Sequence, residues 1–194
     1  MIYYLVGLFD KVSYKYMESI QKSLCEKYNL YSSETNLPKL HITLEVITDP
    51  CLYDLDVSLK NIIKNYSKFE FKLNGVICFD PPYKSVNLNI KNEGIIYELS
   101  KKINYNLNLQ GFNVRKHIED WNLHISLANT TFADREWSNS EYLAACNLAK
   151  DENFSKTITV DTVELWKPIN NNNEMVVKQY ELTKIISDAK HIRP

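Results

Sequence analysis

The sequence predicts an α+β chain, on three observations. Apolar residues recur at spacings of three and four in some segments and strictly alternate in others, which separates helices from strands. The two kinds of segment follow one order, helix, strand, helix, strand, strand, and the order occurs twice. Finally, 44% hydrophobic and 24% charged residues over 194 positions suit one globular unit and exclude a disordered or fibrous chain.

The first element is an apolar strand over residues 2–9, closed by Asp10 and without the basic flank of a signal peptide. Met17, Ile20, Leu24 and Tyr28 mark an amphipathic helix over about 13–29. The polar connection SSETNLPKL leads to the β-rich run HITLEVI at 41–47. A second helix carries Leu55, Leu59, Ile62, Ile63 and Tyr66. Phe69, Phe71 and Leu73 open a strand that runs to Phe79, DPPYK turns it, and Val86, Leu88 and Ile90 form its hairpin partner. The order then restarts. Ile95, Ile96, Leu99 and Ile103 mark a third helix, and a loop reaches LHISLA at 123–128. Ser138 with Glu141 is a capping box ahead of a fourth helix through Tyr142, Leu143, Ala145 and Leu148. TITVDTVELW and MVVKQYELT close the pattern as strands joined by PINNNNE, and the tail over 187–194 reads as polar and peripheral. No interdomain linker interrupts the chain, so 1–194 reads as one domain, its motif halves at roughly 1–91 and 92–186.

Charge narrows the partners. Twenty-three Lys+Arg against 24 Asp+Glu give a net charge of −1, so no global positive field draws in nucleic acid. Any action on RNA must come from a local site. The four cysteines, Cys25, Cys51, Cys78 and Cys146, show no metal-ligand spacing and no disulfide framework, and no segment reaches membrane-spanning length. A cytoplasmic address, a monomer and no membrane partner are expected. The 21 Asn and 20 Lys against three Arg match the bias of an AT-rich genome and carry no functional weight.

The chemistry lies in two tetrads. His41-Ile42-Thr43-Leu44 and His124-Ile125-Ser126-Leu127 share the form His, apolar, hydroxyl, apolar, and their histidines stand 83 residues apart. On a strand this spacing puts imidazole and hydroxyl on one face and the two apolar residues on the other. The hydroxyl can donate to a phosphate oxygen while the imidazole moves protons. One such context arises by chance for roughly 2% of histidines, and two among four His in roughly 0.3% of such chains. A lone His on a half-apolar strand is usually structural; a pair at equivalent places in a repeated pattern is not. An imidazole pair near its ordinary pKa of about 6.5 can hold one proton between two rings near neutral pH, which suits acid–base work on a bound phosphate.

With these residues the chain resembles the 2H phosphoesterases, which include the 2′-5′ RNA ligase-like proteins and RNA 2′,3′-cyclic phosphodiesterases. The resemblance spans nearly the whole chain, to Thr183, and extends to PKLHITL with its Pro38 and to the stretch 79–88. It implies a bilobal, pseudo-twofold α+β fold, with antiparallel-rich sheets lining a central cleft and helices outside. It implies His41 and His124 as the catalytic pair, Thr43 and Ser126 as phosphate-binding residues, no cofactor and no metal, and a nucleotide or RNA terminus as substrate. Carried over residue by residue, His41 is the proton donor and His124 the acceptor that activates water.

Other residues are weaker candidates. Period-two counting puts Glu45 on the face of His41 and Thr43, where it reads as a solvated rim residue; its counterpart is Ala128. Trp121 reads as packing, Tyr83 as an exposed turn residue within reach of a base, and Arg115 and Arg135 as surface charges. His117 and His191 lack the tetrad context. Two rival classes remain, a nucleotide- or RNA-binding module without turnover and a purely structural domain. Within the enzyme class, 2′-5′-oligoadenylates are an alternative substrate, and ATP-dependent ligation finds no nucleotide-binding loop.

Overall fold

The computed structural model describes residues 1–31, 37–152, 154–171 and 173–182. Part of the SSETNLPKL connection, His191 and the 187–194 tail lie outside them. The described residues form eight strands and four α-helices: β1 (Ile2–Phe9), α1 (Lys11–Tyr28), β2 (Ile42–Thr48), α2 (Leu52–Ile63), β3 (Phe69–Phe79), β4 (Ser85–Ile90), α3 (Gly94–Leu109), β5 (Asn113–Val114), β6 (His124–Ala128), α4 (Asn139–Lys150), β7 (Thr157–Trp166) and β8 (Val176–Glu181). The α+β class and each long element expected from periodicity are present.

Differences fall at the edges of elements. The first helix begins at Lys11 because the Asp10 carboxylate accepts from the Ser13 amide at 2.8 Å and caps it, a signal upstream of the apolar repeat. The Ser138–Glu141 capping box forms in both directions. Two-residue β5 pairs with the end of β2, too short to register as an alternation.

Every strand pairing is antiparallel, in the order β5-β2-β1-β7-β3-β4-β6, with β8 also on β7. Order across the sheet departs from order along the chain: β7 lies between β1 and β3. β3 pairs with β7 through Phe69–Lys72 and then with β4 from Leu73 onward, while β8 takes over the β7 edge from Thr162. The sheet therefore divides there. Its course brings β2 into contact with β6, although the two lie far apart in the hydrogen-bonded path. Helices cover the apolar faces: α1 packs on β6, α3 on β2 and β3, and α4 on β3 and β4. No helix among the described residues is long and apolar enough to cross a membrane.

Gly7 allows one close approach beside the first tetrad. It pairs with Ile42 of the first tetrad, and a Cβ there would lie 3.0 Å from the Ile42 Cγ2 and 3.4 Å from the Val160 Cγ1.

One cysteine expectation is corrected. Cys78 near the end of β3 and Cys146 in α4 form a disulfide, their Cα atoms 6.2 Å apart, because α4 packs along β3. A separation of 68 residues carries no local signature of that packing. Cys25 is free and buried, and Cys51 is free and exposed.

Candidate active site

The two tetrads occupy equivalent places on β2 and β6, and each divides as alternation requires. Ile42, Leu44, Ile125 and Leu127 are buried to 1% exposure or less, while His41, Thr43, His124 and Ser126 are half-buried. Alternation then breaks on both strands at the same place. Adjacent Leu5 and Val6 of β1 pair with Glu45 and Thr43, which leaves Leu44 as an extra residue; adjacent Val86 and Asn87 of β4 pair with Ala128 and Ser126, which leaves Leu127. These are β-bulges, which reverse the side-chain alternation beyond them. They correct the reading of Glu45: the bulge turns it away from His41 and Thr43 into the protein, where it is fully buried.

The buried carboxylate is fully partnered. Glu45 accepts from the Val46 amide at 2.7 Å, from Asn104 Nδ2 at 2.7 Å, and from Arg115 Nε at 2.7 Å. Arg115, expected as a surface charge, is 11% exposed in its side chain and also donates to the Leu44 carbonyl. Its guanidinium lies 3.9 Å from the centroid of Trp121, whose ring is 6.0 Å from that of His124. An ion pair anchored on the first tetrad strand thus supports the wall beside the second histidine.

The imidazoles are held alike. His41 Nδ1 lies 2.8 Å from the Lys39 carbonyl, and His124 Nδ1 lies 2.7 Å from the Asn122 carbonyl, each two residues upstream. A carbonyl only accepts, so Nδ1 carries the proton and Nε2 is the nitrogen left for chemistry. Each ring also meets an aromatic edge, Trp166 at 4.8 Å for His41 and Phe79 at 4.9 Å for His124. Burial pushes His41 down to about 4, aided by the His124 and Lys39 charges and opposed by the Lys39 carbonyl bond. Burial also lowers His124, by a smaller amount and with help from Arg115. Both rings are therefore held below the ordinary imidazole range, His41 further than His124. The sequence expectation of a shared proton near pH 7 shifts to more acid values.

Two cavities flank the tetrads. One, of about 390 Å³, is lined by His41, Thr43, Ser126, Lys39, Trp166 and Phe132 among others. Its neighbour, of about 630 Å³, is lined by His124, Ser126, Phe79, Tyr83 and Trp121 among others. Ser126, Asn129 and Thr131 line both, so the four tetrad side chains border a depression made of two adjoining cavities. Ser126 Oγ donates to Asn87 Oδ1 at 2.8 Å, and buried Asn87 spends its Nδ2 on Ile77 and Ser85. That hydroxyl must turn from Asn87 before it can donate to a ligand. A larger cavity of about 740 Å³ lies beyond the other end of β2, around Asp49, Cys51 and Gln110, and holds no tetrad residue.

Several candidates are not gathered in. Tyr83 is exposed on the rim of the His124 cavity, as expected for a turn residue. Arg135 is exposed and bonds Glu141 and the Tyr28 and Asn29 carbonyls. His117 is exposed, with a left-handed φ of 55° before the 3₁₀ turn Ile118–Asp120. Conversely, Lys39, Asn87 and Trp166 were missed. Their only signal was position: Lys39 precedes a tetrad histidine by two, Asn87 is a polar residue at a strand's inward position, and Trp166 ends an alternating run.

Comparison with known proteins agrees with the fold. The family model for the AKAP7 2′5′ RNA ligase-like domain matches residues 8–187. Among solved structures, TT0787 of Thermus thermophilus superposes with a TM-score of 0.65 at 13% identity, covering 95% of this chain and 100% of that one. E. coli LigT complexed with 3′-AMP gives a TM-score of 0.56 at 12% identity, covering 94% and 98%. A protein described as a phosphoesterase gives 0.56 at 11%, covering 94% and 99%. At these identities the likeness is one of fold. A search of curated proteins gave no match.

Proposed function

The chain belongs to the AKAP7 2′5′ RNA ligase-like domain family, within the 2H phosphoesterase superfamily, and from that premise we propose that it hydrolyses a nucleotide or RNA 2′,3′-cyclic phosphate by two-histidine acid–base catalysis. The observation that carries the reading is the matched presentation of two imidazoles. Each is fixed at Nδ1 by a carbonyl two residues upstream, and the two border adjoining cavities that share Ser126. One Nε2 takes a proton from water as it attacks phosphorus, and the other returns a proton to the departing ribose oxygen. Thr43 and Ser126 hold the non-bridging oxygens.

The resemblance makes His41 the donor and His124 the acceptor. His41 is the poorer holder of a proton, so that assignment requires the substrate's negative charge to raise it. A monomer acting without a metal, at a cytoplasmic address, completes the proposal. The Cys78–Cys146 bond weighs against that address, since disulfides persist mainly in oxidising compartments.

The test is hydrolysis of nucleoside 2′,3′-cyclic phosphates in EDTA, with the product resolved as 2′- or 3′-monophosphate. Tight nucleotide binding with no turnover would favour the binding-module reading. One observation supports a second reading within the same chemistry: cavities of about 390 and 630 Å³ lie on both sides of the tetrads. A phosphodiester with a nucleoside on each side, such as a 2′-5′-oligoadenylate, would occupy both. The ratio of kcat/KM for a 2′-5′-linked diadenylate to that for adenosine 2′,3′-cyclic phosphate decides between them.

The pH profile is a further prediction. The competent free enzyme carries one proton over two rings. Above the higher pKa the acid is lost, and below the lower one the base is lost. With His41 near 4 and His124 below its ordinary 6.5, kcat/KM should peak between about 4 and 6.5. The kcat profile should lie at higher pH, because bound anion raises both groups. A kcat/KM optimum above about pH 8 would contradict this account.

A further inference from the structure

We propose that Lys39 is the substrate's anion-binding cation, released from Glu164 when a phosphate arrives. The inference rests on the phosphodiester reading and adds a lasting positive charge to tetrads whose imidazoles hold a proton only at more acid pH. A phosphodiester is an anion, yet the four tetrad groups that border the depression are hydroxyls and imidazoles held below their ordinary pKa range. Among the described residues, the His124 cavity is lined by no Lys or Arg and includes Asp120. The His41 cavity is lined by Lys39 and Lys167, and Lys167 is exposed at its rim.

Lys39 is half-buried, and its carbonyl is the group that orients His41. Its ammonium lies 3.4 Å from Glu164 Oε2, long against the roughly 2.7–2.9 Å of a strong charge-assisted bond. Glu164 is 6% exposed, and the same oxygen accepts a hydrogen bond from the Trp166 Nε1–H at 2.6 Å. The carboxylate keeps this hydrogen bond when the lysine leaves but loses its counter-ion, a cost that the bond reduces and that the charge pairing of Lys39 with the phosphate must outweigh. The position equivalent to Lys39 is Asn122, so the charge stands on one side only and gives the near-symmetric depression a polarity. Neutralising Lys39 would also remove one of the charges that depress His41.

The test is calorimetric titration with inorganic phosphate, independent of turnover. Lys39→Met should weaken phosphate binding by roughly ten- to a hundredfold and flatten its salt dependence, while Lys39→Arg should keep most of the affinity. Glu164→Gln, which still accepts from Trp166, should tighten binding because it competes less for the ammonium. A purely structural ion pair predicts the opposite sign for Glu164→Gln. Wild-type affinity in Lys39→Met, weaker binding in Glu164→Gln, or no phosphate binding by the wild type would each overturn the proposal. Should Lys39→Met fail to fold, Lys39→Gln and Glu164→Gln carry the test. Phosphate binding that depends on Lys39 without hydrolysis of any cyclic phosphate would sink the phosphodiesterase reading and leave Lys39 standing.

Discussion

His41→Ala and His124→Ala are each expected to lower kcat for a nucleoside 2′,3′-cyclic phosphate by roughly 10²–10⁴-fold, the usual worth of one positioned proton-transfer group. The paired change should cost far less than the product of the two losses, because residues that act as a unit do not add. Thr43→Ala and Ser126→Ala should be milder, about tenfold each, since each removes one neutral hydrogen bond. The Ser126 loss is partly offset because its hydroxyl no longer has to leave Asn87. Each imidazole also packs against an aromatic edge, so an unfolding curve must accompany every rate. If either alanine variant keeps more than about a tenth of wild-type turnover with its fold intact, two-histidine chemistry is wrong.

Removing the Glu45 carboxylate should be the most destabilising single change outside the apolar core. Glu45→Ala leaves the Arg115 side chain, only 11% exposed, with no counter-ion, which costs about 3–5 kcal/mol. For a chain of this length that is a fall of roughly 6–20 °C in Tm. The reason is desolvation: the guanidinium has left water, and burial already opposes its charge. Replacing both partners, as Glu45→Met with Arg115→Met, should recover much of the loss, because neither charge then stays buried alone. Urea unfolding of the two single variants and the double variant measures this coupling directly. A Glu45→Ala variant within about 1 kcal/mol of wild type would mean the pair is solvated, as the sequence alone suggested.

What was legible in the sequence followed from periodicity. Strands β1, β3 and β7 and helix α2 repeat over enough residues for their period to show, and the tetrads announce themselves because His and a hydroxyl share a strand face with apolar residues behind them. Glu45 was misread for a definite reason: one extra residue at Leu44 reverses every later position, and no residue type marks a bulge. Arg115 was misread with it, since its partner lies 70 positions away. Cys78 and Cys146 were missed because their proximity comes from α4 packing on β3, a tertiary fact. The depressed imidazoles were likewise invisible, because desolvation depends on what surrounds a ring and not on the ring's neighbours in sequence.

The place of β7 sets the timetable on the ribosome. β1 leaves the exit tunnel early, but one of its two edges stays unpaired until residues 157–166 are made, and β3 waits for the same strand. Until β7 emerges the nascent chain thus carries open β edges, the kind of surface that invites wrong partners. Truncation before Thr157 removes the strand that joins β1 to β3, so such a fragment should depend on chaperones and precipitate without them.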